Sequence, residues 1–328
     1  MRAPTFWQDG KGPWPRLLAP FAFFTAMASA ARTAKPGWRA PVPVLCVGNA
    51  TVGGAGKTTV VLDLVARLKA QGVAVHVLSR GYGGAAGAAH RVDPRRDTAR
   101  DVGDEPLLLA EAAPTWVGAD RAASARAALA AGAEALVMDD GLQNPSLQKT
   151  AAILVIDGER GFGNGRLLPA GPLREPPSAA AARASAAVLI GEDQTGALAV
   201  LPPGLPLLRA RLVAGPEAEA LAGAPVLAFA GIAHPQKFAA TLRAAGVEVL
   251  RCVGFADHAR FSPRALARLA EEAKRLGARL VTTPKDAVRL PAAFRAEVSV
   301  IGVRLVWEDE AALHSKLAAW MHEPLATA

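Results

Sequence analysis

The stretch GNATVGGAGKTT at residues 48–59 constrains the fold of this chain more than any other part of the sequence. It follows an apolar run at residues 42–47, which predicts a buried strand. It precedes residues 60–68, whose apolar positions recur with a helical period. A strand, a glycine-rich loop and a helix in this order are typical of a phosphate-binding loop. The sequence therefore predicts an α/β protein that holds an anion where this helix begins.

The residue types in this loop suit a nucleoside triphosphate better than a glycine-rich turn that binds nothing. Glycines allow successive backbone N–H groups to approach the phosphates. Lys57 is expected to reach the β- and γ-phosphates, and Thr58 to hold Mg²⁺ through its hydroxyl. Thr51 departs from the usual pattern, because it stands where glycine normally opens the loop. The residues that we expect to bind ATP are Thr51, Val52, Gly53, Gly54, Ala55, Gly56, Lys57, Thr58 and Thr59.

Carboxylates that could serve this loop occur in two places downstream. Residues 135–141, ALVMDDG, predict a strand that ends at Asp139 and Asp140, where a partner of nucleotide-bound Mg²⁺ is expected. Residues 103–106, GDEP, predict the start of a helix. Asp104 and Glu105 either complement the dipole of that helix or face the phosphate site, where a carboxylate would orient or deprotonate the acceptor hydroxyl. The expected metal ligands are Thr58, Glu105, Asp139 and Asp140.

Basic residues follow two further predicted strands. Arg80 comes after the strand at residues 73–78 and is either a ligand contact at the carboxyl end of the sheet or a solvated charge. Residues 161–176, GFGNGRLLPAGPLREP, follow the strand at residues 153–157 and form a long loop rich in Gly, Pro and Arg. Loops of this length in compact domains are usually functional or disordered, and the arginines favour a role in acceptor binding.

The second half of the chain repeats the alternation of strands and helices and predicts a second, smaller α/β/α domain. Residues 282–286, TTPKD, place a lysine and an aspartate at the carboxyl end of a predicted strand, where ligands gather. His258 follows an aspartate just before a predicted helix. It is either structural or a proton-handling group in a cleft between the domains.

Apolar runs and Pro/Gly-rich stretches suggest where the domains begin and end. Residues 1–40 are expected to form an amino-terminal helical region, and residues 41–205 the nucleotide-binding domain with a mainly parallel sheet, whose last strand lies near residues 188–190. Residues 206–222 are expected to be a linker, and residues 223–328 the smaller domain that closes the cleft.

The amino-terminal region contains a run without charge at residues 17–31, flanked by basic residues and by Trp7 and Trp14. The run is shorter than the roughly 20 residues that cross a bilayer. A signal peptide and an ordinary buried helix are alternatives, but the nearby nucleotide loop and the flanking tryptophans favour a helix that lies in or dips into the inner leaflet.

The overall charge indicates an anionic partner, and the composition indicates which class of anion is expected. The net charge is +8, which suits a nucleotide or an acidic membrane surface. Arginines are spread along the chain without a dense basic run, and aromatic residues make up only 5%, so nucleic acid is not an expected partner. Cys46 and Cys252 are too few for a disulfide framework or a zinc site, which agrees with a reducing cytoplasm.

Taken together, the motifs resemble those of the tetraacyldisaccharide 4′-kinases, the lipid A 4′-kinase family. The resemblance covers about residues 5–305, and the family's phosphate loop likewise opens with threonine. Two positions depart from the family: Asn144 stands where many members have histidine, and Pro284 where glutamate is usual. The stretches that carry the resemblance are GNATVGGAGKTT, LSRGYGG, VGDEPLLLA, VGADR, DDGLQNPSLQK, GNGRLLPAGPLREP, AFAGIAHPQKF, FADHARFS and TTPKDAVRL.

The resemblance implies a P-loop kinase on the cytoplasmic face of the inner membrane, with two α/β/α domains and a bilayer-contacting amino-terminal helix. We expect it to be a monomer, although no motif bears on the oligomeric state. It implies transfer of the γ-phosphate of ATP, with Mg²⁺, to the 4′-hydroxyl of a tetraacylated disaccharide 1-phosphate. The GDEP carboxylate Asp104 and His258 would act as a dyad on that hydroxyl, and Lys57 would neutralise phosphate charge. Arg80 and Arg121 would either stabilise charge or clamp the acceptor, and contacts to the acceptor are also expected from Asn164, Arg166 and Arg174.

Two other function classes fit the sequence less well. A soluble P-loop kinase of a small metabolite would leave the apolar amino-terminal run and the loop at residues 161–176 without a purpose. A membrane-recruiting nucleotide switch of the partitioning ATPase kind has lysine at the second place of the loop, where this chain has Val52. Guanine-reading proteins have Asn-Lys-x-Asp, which the TPKD at residues 283–286 does not match.

Overall fold

The computed structural model describes residues 4–33, 37–81, 89–232, 234–256 and 261–322. Within these ranges the strands are, in chain order, β1 (Val44–Gly48), β2 (Val75–Ser79), β3 (His90–Arg91), β4 (Thr115–Val117), β5 (Ala135–Asp139), β6 (Ala151–Asp157), β7 (Ala186–Ile190), β8 (Leu207–Ala214), β9 (Pro225–Ala230), β10 (Glu248–Gly254), β11 (Arg279–Thr282), β12 (Ser299–Val300) and β13 (Val303–Trp307).

The α-helices in the same ranges are α1 (Phe6–Asp9), α2 (Trp14–Thr33), α3 (Lys57–Ala70), α4 (Asp104–Ala112), α5 (Arg121–Ala130), α6 (Pro177–Ala182), α7 (Pro235–Ala244), α8 (Pro263–Leu276), α9 (Pro284–Ala287), α10 (Ala292–Arg295) and α11 (Glu310–Met321). Two short 3₁₀ helices lie at Ala197–Val200 and Pro216–Leu221.

The larger sheet has the strand order β13-β8-β7-β6-β1-β5-β2-β4-β3 among the described residues. Its strands pair in parallel except for β3 and β13, one at each edge, which pair antiparallel to their neighbours. Every residue of β1, β5, β6 and β7 is buried, because helices cover both faces of the sheet. Separate apolar clusters fill the two sides. The predicted α/β sandwich with a mainly parallel sheet is confirmed.

The carboxyl ends of the central strands place the functional motifs together. β1 lies between β5 and β6, so the glycine-rich loop after β1 is next to the residues that end those two strands. In the register of β1 and β5, Asp139 is the last residue of β5 and is opposite Val47, the residue before the last one of β1. Ligands of open parallel sheets bind in this position, because the loops of neighbouring strands leave a crevice there.

A second, smaller sheet has the order β10-β9-β11-β12 in the described part of the chain, and all its pairings are parallel. One face packs against α7 through Phe238 and Leu242, and the other against α8 through Leu266 and Leu269. Phe229 of β9 is fully buried and makes edge-to-face contacts with the aromatic rings around it. A smaller α/β unit is therefore present, as predicted.

The predicted linker at residues 206–222 and the assignment of all later residues to the smaller domain are wrong. β8 pairs in parallel with β7, so residues 188–190 are not the last strand of the large sheet. β13 then returns from the smaller unit and pairs antiparallel with β8. α11 packs Leu313, Leu317 and Trp320 into the core beneath the large sheet. Apolar periodicity predicts that a strand exists but not which sheet it joins, because pairing depends on residues far away in the chain.

Helix α2 contains the uncharged run at residues 17–31 and has an unusual distribution of side-chain size. The residues on the side that faces the protein are mostly small: Ala19, Ala22, Ala26 and Ser29. The large apolar side chains are exposed instead, namely Trp14, Leu17, Phe21, Phe23, Phe24 and Met27. No helix in the described ranges has both the length and the apolarity needed to cross a membrane.

His76 of β2 and Trp116 of β4 form a buried polar pair that gives a pH-dependent contribution to stability. Trp116 Nε1 donates to His76 Nδ1 at 3.2 Å, so the imidazole accepts this bond in its neutral form. Burial, together with the nearby cation Arg91, lowers the pKa of His76. The unfolded chain takes up a proton as the pH falls through about 6.5, whereas the folded chain resists it. The contribution of His76 to the free energy of unfolding is therefore fully present above pH ~6.5 and is lost as the pH falls below it.

We expect the free energy of unfolding to fall less steeply between pH 7.5 and 5.5 in His76→Gln than in the wild type. The variant takes up one proton fewer on unfolding than the wild type. The slopes of the free energy of unfolding against pH therefore differ by up to about 1.4 kcal/mol per pH unit. Chemical denaturation at the two pH values measures this difference. An equal pH-dependent loss in both proteins would contradict it, since other histidines contribute alike to each.

Candidate functional site

The glycine-rich loop turns sharply from β1 into α3. Gly53 and Gly56 have φ values of +116° and +86°, which other residues rarely adopt. A Cβ at Gly56 would also lie 2.6 Å from Ile190 Cδ1 of β7. α3 begins at Lys57 directly after Gly56, which has no side chain to cap the first N–H groups of the helix. These N–H groups and the positive end of the helix dipole form an anion site.

The structure explains why threonine is acceptable at position 51. Thr51 forms an antiparallel bridge with Leu173, so its backbone is extended and suits a β-branched side chain. The N–H of Val52 donates to Pro172 O at 2.8 Å, and the N–H of Arg174 donates to Ala50 O at 2.8 Å. The first half of the phosphate loop is therefore held by the end of the long loop at residues 161–176.

Lys57 lies inside the loop and already contacts acceptors of the kind that a phosphate would supply. Its Nζ donates to Asn49 Oδ1 at 3.1 Å and lies 3.6 Å from Asp140 Oδ1. The Asn49 amide in turn donates to Thr51 Oγ1 at 3.0 Å. The ammonium is thus oriented over the loop by these contacts, and its role toward phosphate stays a prediction.

Asp139 and Asp140 are neighbours with different environments. Asp139 ends β5 and is buried, and its Oδ1 accepts no hydrogen bond from any residue that the structure describes. Burial first, and then the charges of Glu105 and Asp140, raise the pKa of Asp139 to about 7. Asp140 instead accepts from Arg174 Nη1 through both oxygens, at 2.8 and 2.9 Å. The charges of Lys57 and Arg174 hold its pKa below the usual range even though burial opposes this.

Asp140 also has a strained backbone, with φ +50° in the left-handed region. Non-glycine residues in that region are uncommon and concentrate at functional sites. The strain places the carboxylate between Lys57 and Arg174. These contacts were not expected for Asp140, which we predicted only as a metal ligand, and its role toward a metal stays a prediction.

Polar contacts also connect the backbone just before the phosphate loop to the carboxyl end of the long loop. Gln143 Nε2 donates to Asn49 O at 2.8 Å and to Glu175 Oε1 at 2.7 Å. Glu175 is buried and also accepts from Arg183 Nη2 at 2.5 Å. No role was predicted from the sequence for Asn49, Gln143 or Glu175. Their only signal is their position inside motifs whose other members were chosen.

The GDEP carboxylates lie at the start of α4 and meet cations from the smaller unit. Asp104 is buried, and Arg289 Nε lies 3.7 Å from its Oδ2. Glu105 Oε1 accepts from Lys285 Nζ at 3.2 Å. Sequence reasoning noticed Lys285 in the TTPKD motif but missed Arg289, because nothing local relates an arginine four residues later to a carboxylate in the other half of the chain.

The remaining predicted residues differ in how they relate to the loop. Arg80 is exposed just after β2, which fits either a ligand contact or a solvated charge, and Arg166 is exposed in the long loop. Asn164 uses its amide to hold that loop, donating to Phe6 O at 2.8 Å and to Ala170 O at 3.0 Å. His258 lies outside the described residues.

Arg121 does not fit its predicted place as an acceptor clamp. Its side chain is 1% exposed and donates to Gly118 O, so a ligand cannot contact it directly in this structure. Burial lowers the pKa of Arg121 to about 10, against the opposing effect of Asp139 and Asp140. The positive charge of Arg121 in turn favours the ionised forms of those two carboxylates.

The residues near the loop fit a divalent cation. Asp139 offers a buried, unpartnered oxygen at the position where P-loop proteins hold Mg²⁺. Negative charge from Glu105 and Asp140 adds to it, as the raised pKa of Asp139 shows. The described residues contain no group of three His, Cys, Asp or Glu side chains placed to hold an ion. Mg²⁺ in phosphate-transfer sites typically takes one or two protein ligands and fills its shell with phosphate oxygens and water.

Comparisons with a family model, with curated relatives and with solved structures all lead to the same protein family. Residues 14–322 match the family model described as tetraacyldisaccharide-1-P 4′-kinase. The tetraacyldisaccharide 4′-kinase of Gluconacetobacter diazotrophicus is 58% identical over 98% of both chains. The corresponding protein of Gluconobacter oxydans is 52% identical over 94% of both chains. The structure of LpxK from Aquifex aeolicus in complex with ATP aligns with a TM-score of 0.76 and 26% identity, over 94% of this chain and 99% of that one.

Proposed function

This chain belongs to the tetraacyldisaccharide-1-phosphate 4′-kinase family, and we propose how its own residues carry out the reaction. It is an ATP-dependent kinase of lipid A biosynthesis that transfers the γ-phosphate to the 4′-hydroxyl of tetraacyldisaccharide 1-phosphate. The chemistry requires a loop for ATP, a group beside the acceptor hydroxyl and a route by which a lipid acceptor reaches them.

The observation that carries the acceptor assignment is the position of the long loop at residues 161–176. At one end it holds the phosphate loop, through the bridge of Thr51 to Leu173 and the bond of Val52 N–H to Pro172 O. In its middle it holds the amino-terminal helices: Thr25 Oγ1 donates to Leu168 O at 2.6 Å, and Trp7 Nε1 donates to Pro169 O at 3.0 Å. A lipid resting on α2 would therefore have its head group beside the ATP site.

In the proposed mechanism Lys57 and the first N–H groups of α3 bind the β- and γ-phosphates and hold the γ-phosphate in line with the acceptor. Mg²⁺, held by Thr58 and Asp139 with Glu105 and Asp140 near it, would neutralise charge on the phosphates when bound. Lys57 leaves its contact with Asp140 for the phosphate oxygens, and Asp140 keeps Arg174 as its partner.

Asp104 is proposed to accept the proton of the 4′-hydroxyl, with His258 orienting it. Asp104 is buried at the amino end of α4, and its Oδ1 accepts from the Glu105 N–H at 3.1 Å, which fixes one oxygen. Phosphoryl transfer has a loose transition state in most analyses, so the position of this carboxylate matters more than its basicity. Arg80 and Arg166, which are exposed, and Arg174, which pairs with Asp140, are proposed to contact the anionic acceptor.

A direct test is transfer of label from γ-labelled ATP to tetraacyldisaccharide 1-phosphate in detergent micelles. We expect the wild-type protein to label the disaccharide at the 4′-position and to leave a soluble glucosamine phosphate unlabelled. ATP hydrolysis without transfer to the lipid would refute the acceptor assignment. Labelling of the soluble sugar at the same rate would favour the small-metabolite kinase instead.

We also propose that α2 rests in the surface of the inner membrane on its cytoplasmic side. Most of its large side chains point outward, and most of its half-buried ones are small, the reverse of what a helix on a water-exposed surface shows. Such a face is stabilised when it enters the boundary between head groups and acyl chains.

Replacing Phe21 and Phe24 by Ser should weaken binding to vesicles of anionic phospholipid by at least about tenfold, because each ring loses on the order of 1.5–3 kcal/mol of apolar burial. Vesicle flotation measures the bound fraction. The matched control is Val200→Ser with Leu250→Ser, which removes two other exposed apolar side chains, 51% and 44% exposed, away from α2. Equal loss in both double variants, or no loss in either, would contradict the placement of α2.

A further inference from the structure

The segment that follows β11 contains a buried ion pair that the reaction described above does not use. Asp286 of α9 is fully buried. Its carboxylate accepts from the Gly231 N–H at 3.0 Å and from Thr283 Oγ1 at 2.7 Å, and it pairs with Arg289. The approach of the backbone is so close that a Cβ at Gly231 would lie 3.1 Å from Asp286 Oδ1. These contacts fix the carboxylate firmly within the smaller unit.

Asp286 and its surroundings hold Arg289 in one orientation. Arg289 is 7% exposed, and its Nη2 donates to Gly231 O at 3.1 Å. Its guanidinium lies over the ring of Phe261, 5.4 Å from the centroid. The Nε edge donates to Lys285 O at 3.3 Å and faces the first unit, where Asp104 Oδ2 lies 3.7 Å away.

A second ion pair lies directly beside this one. Lys285, four residues before Arg289, contacts Glu105, the residue after Asp104. Two consecutive carboxylates of α4 are thus matched by two cations from α9 and the residues that follow it. Because the pairs are adjacent, a shift of the smaller unit along α4 would disturb both of them.

An ordinary structural ion pair would not account for this arrangement. Burying charges costs free energy of desolvation, and well-packed apolar side chains usually hold two units together at least as well. Here the arginine is fixed by several groups of its own unit and extends to the carboxylate that is proposed to accept the proton. That arrangement is suited to orienting a carboxylate.

We propose that Arg289, held by Asp286 and Gly231, is a positioning residue for Asp104, so that the smaller unit supplies part of the catalytic centre. This inference rests on the proposed role of Asp104. Arg289 binds the Oδ2 side of the carboxylate and keeps the group turned toward the acceptor hydroxyl. It acts through Asp104 and does not touch the substrate itself.

The test is a double-mutant cycle in the transfer assay with γ-labelled ATP and the disaccharide acceptor. Arg289→Met should lower kcat about 10²-fold, the usual cost of a reacting group displaced by about 1 Å, with KM for ATP nearly unchanged. Arg289→Lys keeps the charge and should recover a large part of kcat. In the Asp104→Asn background, Arg289→Met should cause almost no further loss, because its target is already inactive.

The matched control is Arg295→Met, which removes another cation of the smaller unit that pairs with α4, at 3.8 Å from Glu111. That pair is about half exposed and lies at the far end of α4, six residues after Glu105, so kcat should stay at the wild-type value. Equal loss in Arg289→Met and Arg295→Met would mean that loosening of the interface is the cause, and would overturn the proposal.

Two other results would overturn it: wild-type kcat in Arg289→Met, or a full additional loss when this change is added to Asp104→Asn. If Arg289→Met does not fold, as judged by its melting temperature, the cycle with Arg289→Gln, which also removes the charge but keeps a polar side chain, decides in the same way. Failure of the proposed function is a separate outcome, because it would appear as absence of transfer by the wild-type protein or as full activity of Asp104→Asn.

Discussion

Lys57→Met is expected to lower kcat for transfer from ATP to the disaccharide by about 10²- to 10³-fold, the loss that follows removal of one preorganised donor to developing charge. Nζ of Lys57 is fixed by Asn49 and lies 3.6 Å from Asp140, so it is already oriented over the phosphate loop. Methionine keeps the length of the side chain and removes the charge. KM for ATP should rise as well, since the ammonium also contacts the phosphates before transfer.

The fold should survive this change, because Asp140 keeps its two contacts with Arg174. The matched control is Lys69→Met on the same helix α3, where Nζ donates to Ala112 O at 2.7 Å, away from the loop. We expect wild-type kcat and KM for this variant. Initial rates over a range of ATP concentrations, with melting temperatures of all three proteins, measure the comparison. A similar loss of activity in both variants would contradict the proposed role of Lys57.

Asp104→Asn is expected to lower kcat by about 10²-fold or more while KM for ATP stays nearly constant, which is the range for loss of a general base. Asparagine keeps the shape but cannot accept the proton. It also turns an acceptor toward Arg289 into a partly donating group, so the orientation of the side chain is lost with its charge. Because ATP is held by residues of the phosphate loop, nucleotide binding should be unaffected.

Glu111→Gln is the matched control for this change, since it replaces another carboxylate of α4 that pairs with an arginine of the smaller unit. The pair of Glu111 and Arg295 is about half exposed and worth little to stability. We expect kcat of this variant to match the wild type. Binding of a fluorescent ATP analogue to each variant separates loss of chemistry from loss of nucleotide. Transfer by Asp104→Asn at the wild-type rate would remove Asp104 from the mechanism.

Much of the nucleotide site could be predicted from the sequence because its determinants are local. The glycines at positions 53 and 56 are required by positive φ values within the same loop, and Lys57 follows them at a fixed spacing. Asp139 is recognisable because an apolar run ends there. The ends of most strands differ by one to three residues from the predicted ones, since hydrogen bonding across the sheet rather than side-chain pattern decides where a strand stops.

The partners of the functional side chains could not be predicted in this way. Glu105 and Lys285 are 180 positions apart, and nothing in either motif indicates the other. Asp140 was predicted beside a metal, yet in the structure both of its oxygens contact Arg174 of the long loop. Arg121 was predicted at the acceptor but is buried. Sequence pattern identifies a charged residue, whereas packing determines whether its charge faces solvent, a ligand or another side chain.

The sequence by itself determined the α/β class, the phosphate loop and the nature of the anionic ligand, because backbone conformation, helix period and phosphate chemistry act between near neighbours. Only the tertiary structure decided that β8 and β13 complete the large sheet, that the loop at residues 161–176 contacts both α2 and the phosphate loop, and that Arg289 faces Asp104. These features depend on contacts between distant parts of the chain, whose free energies are set by how whole layers pack.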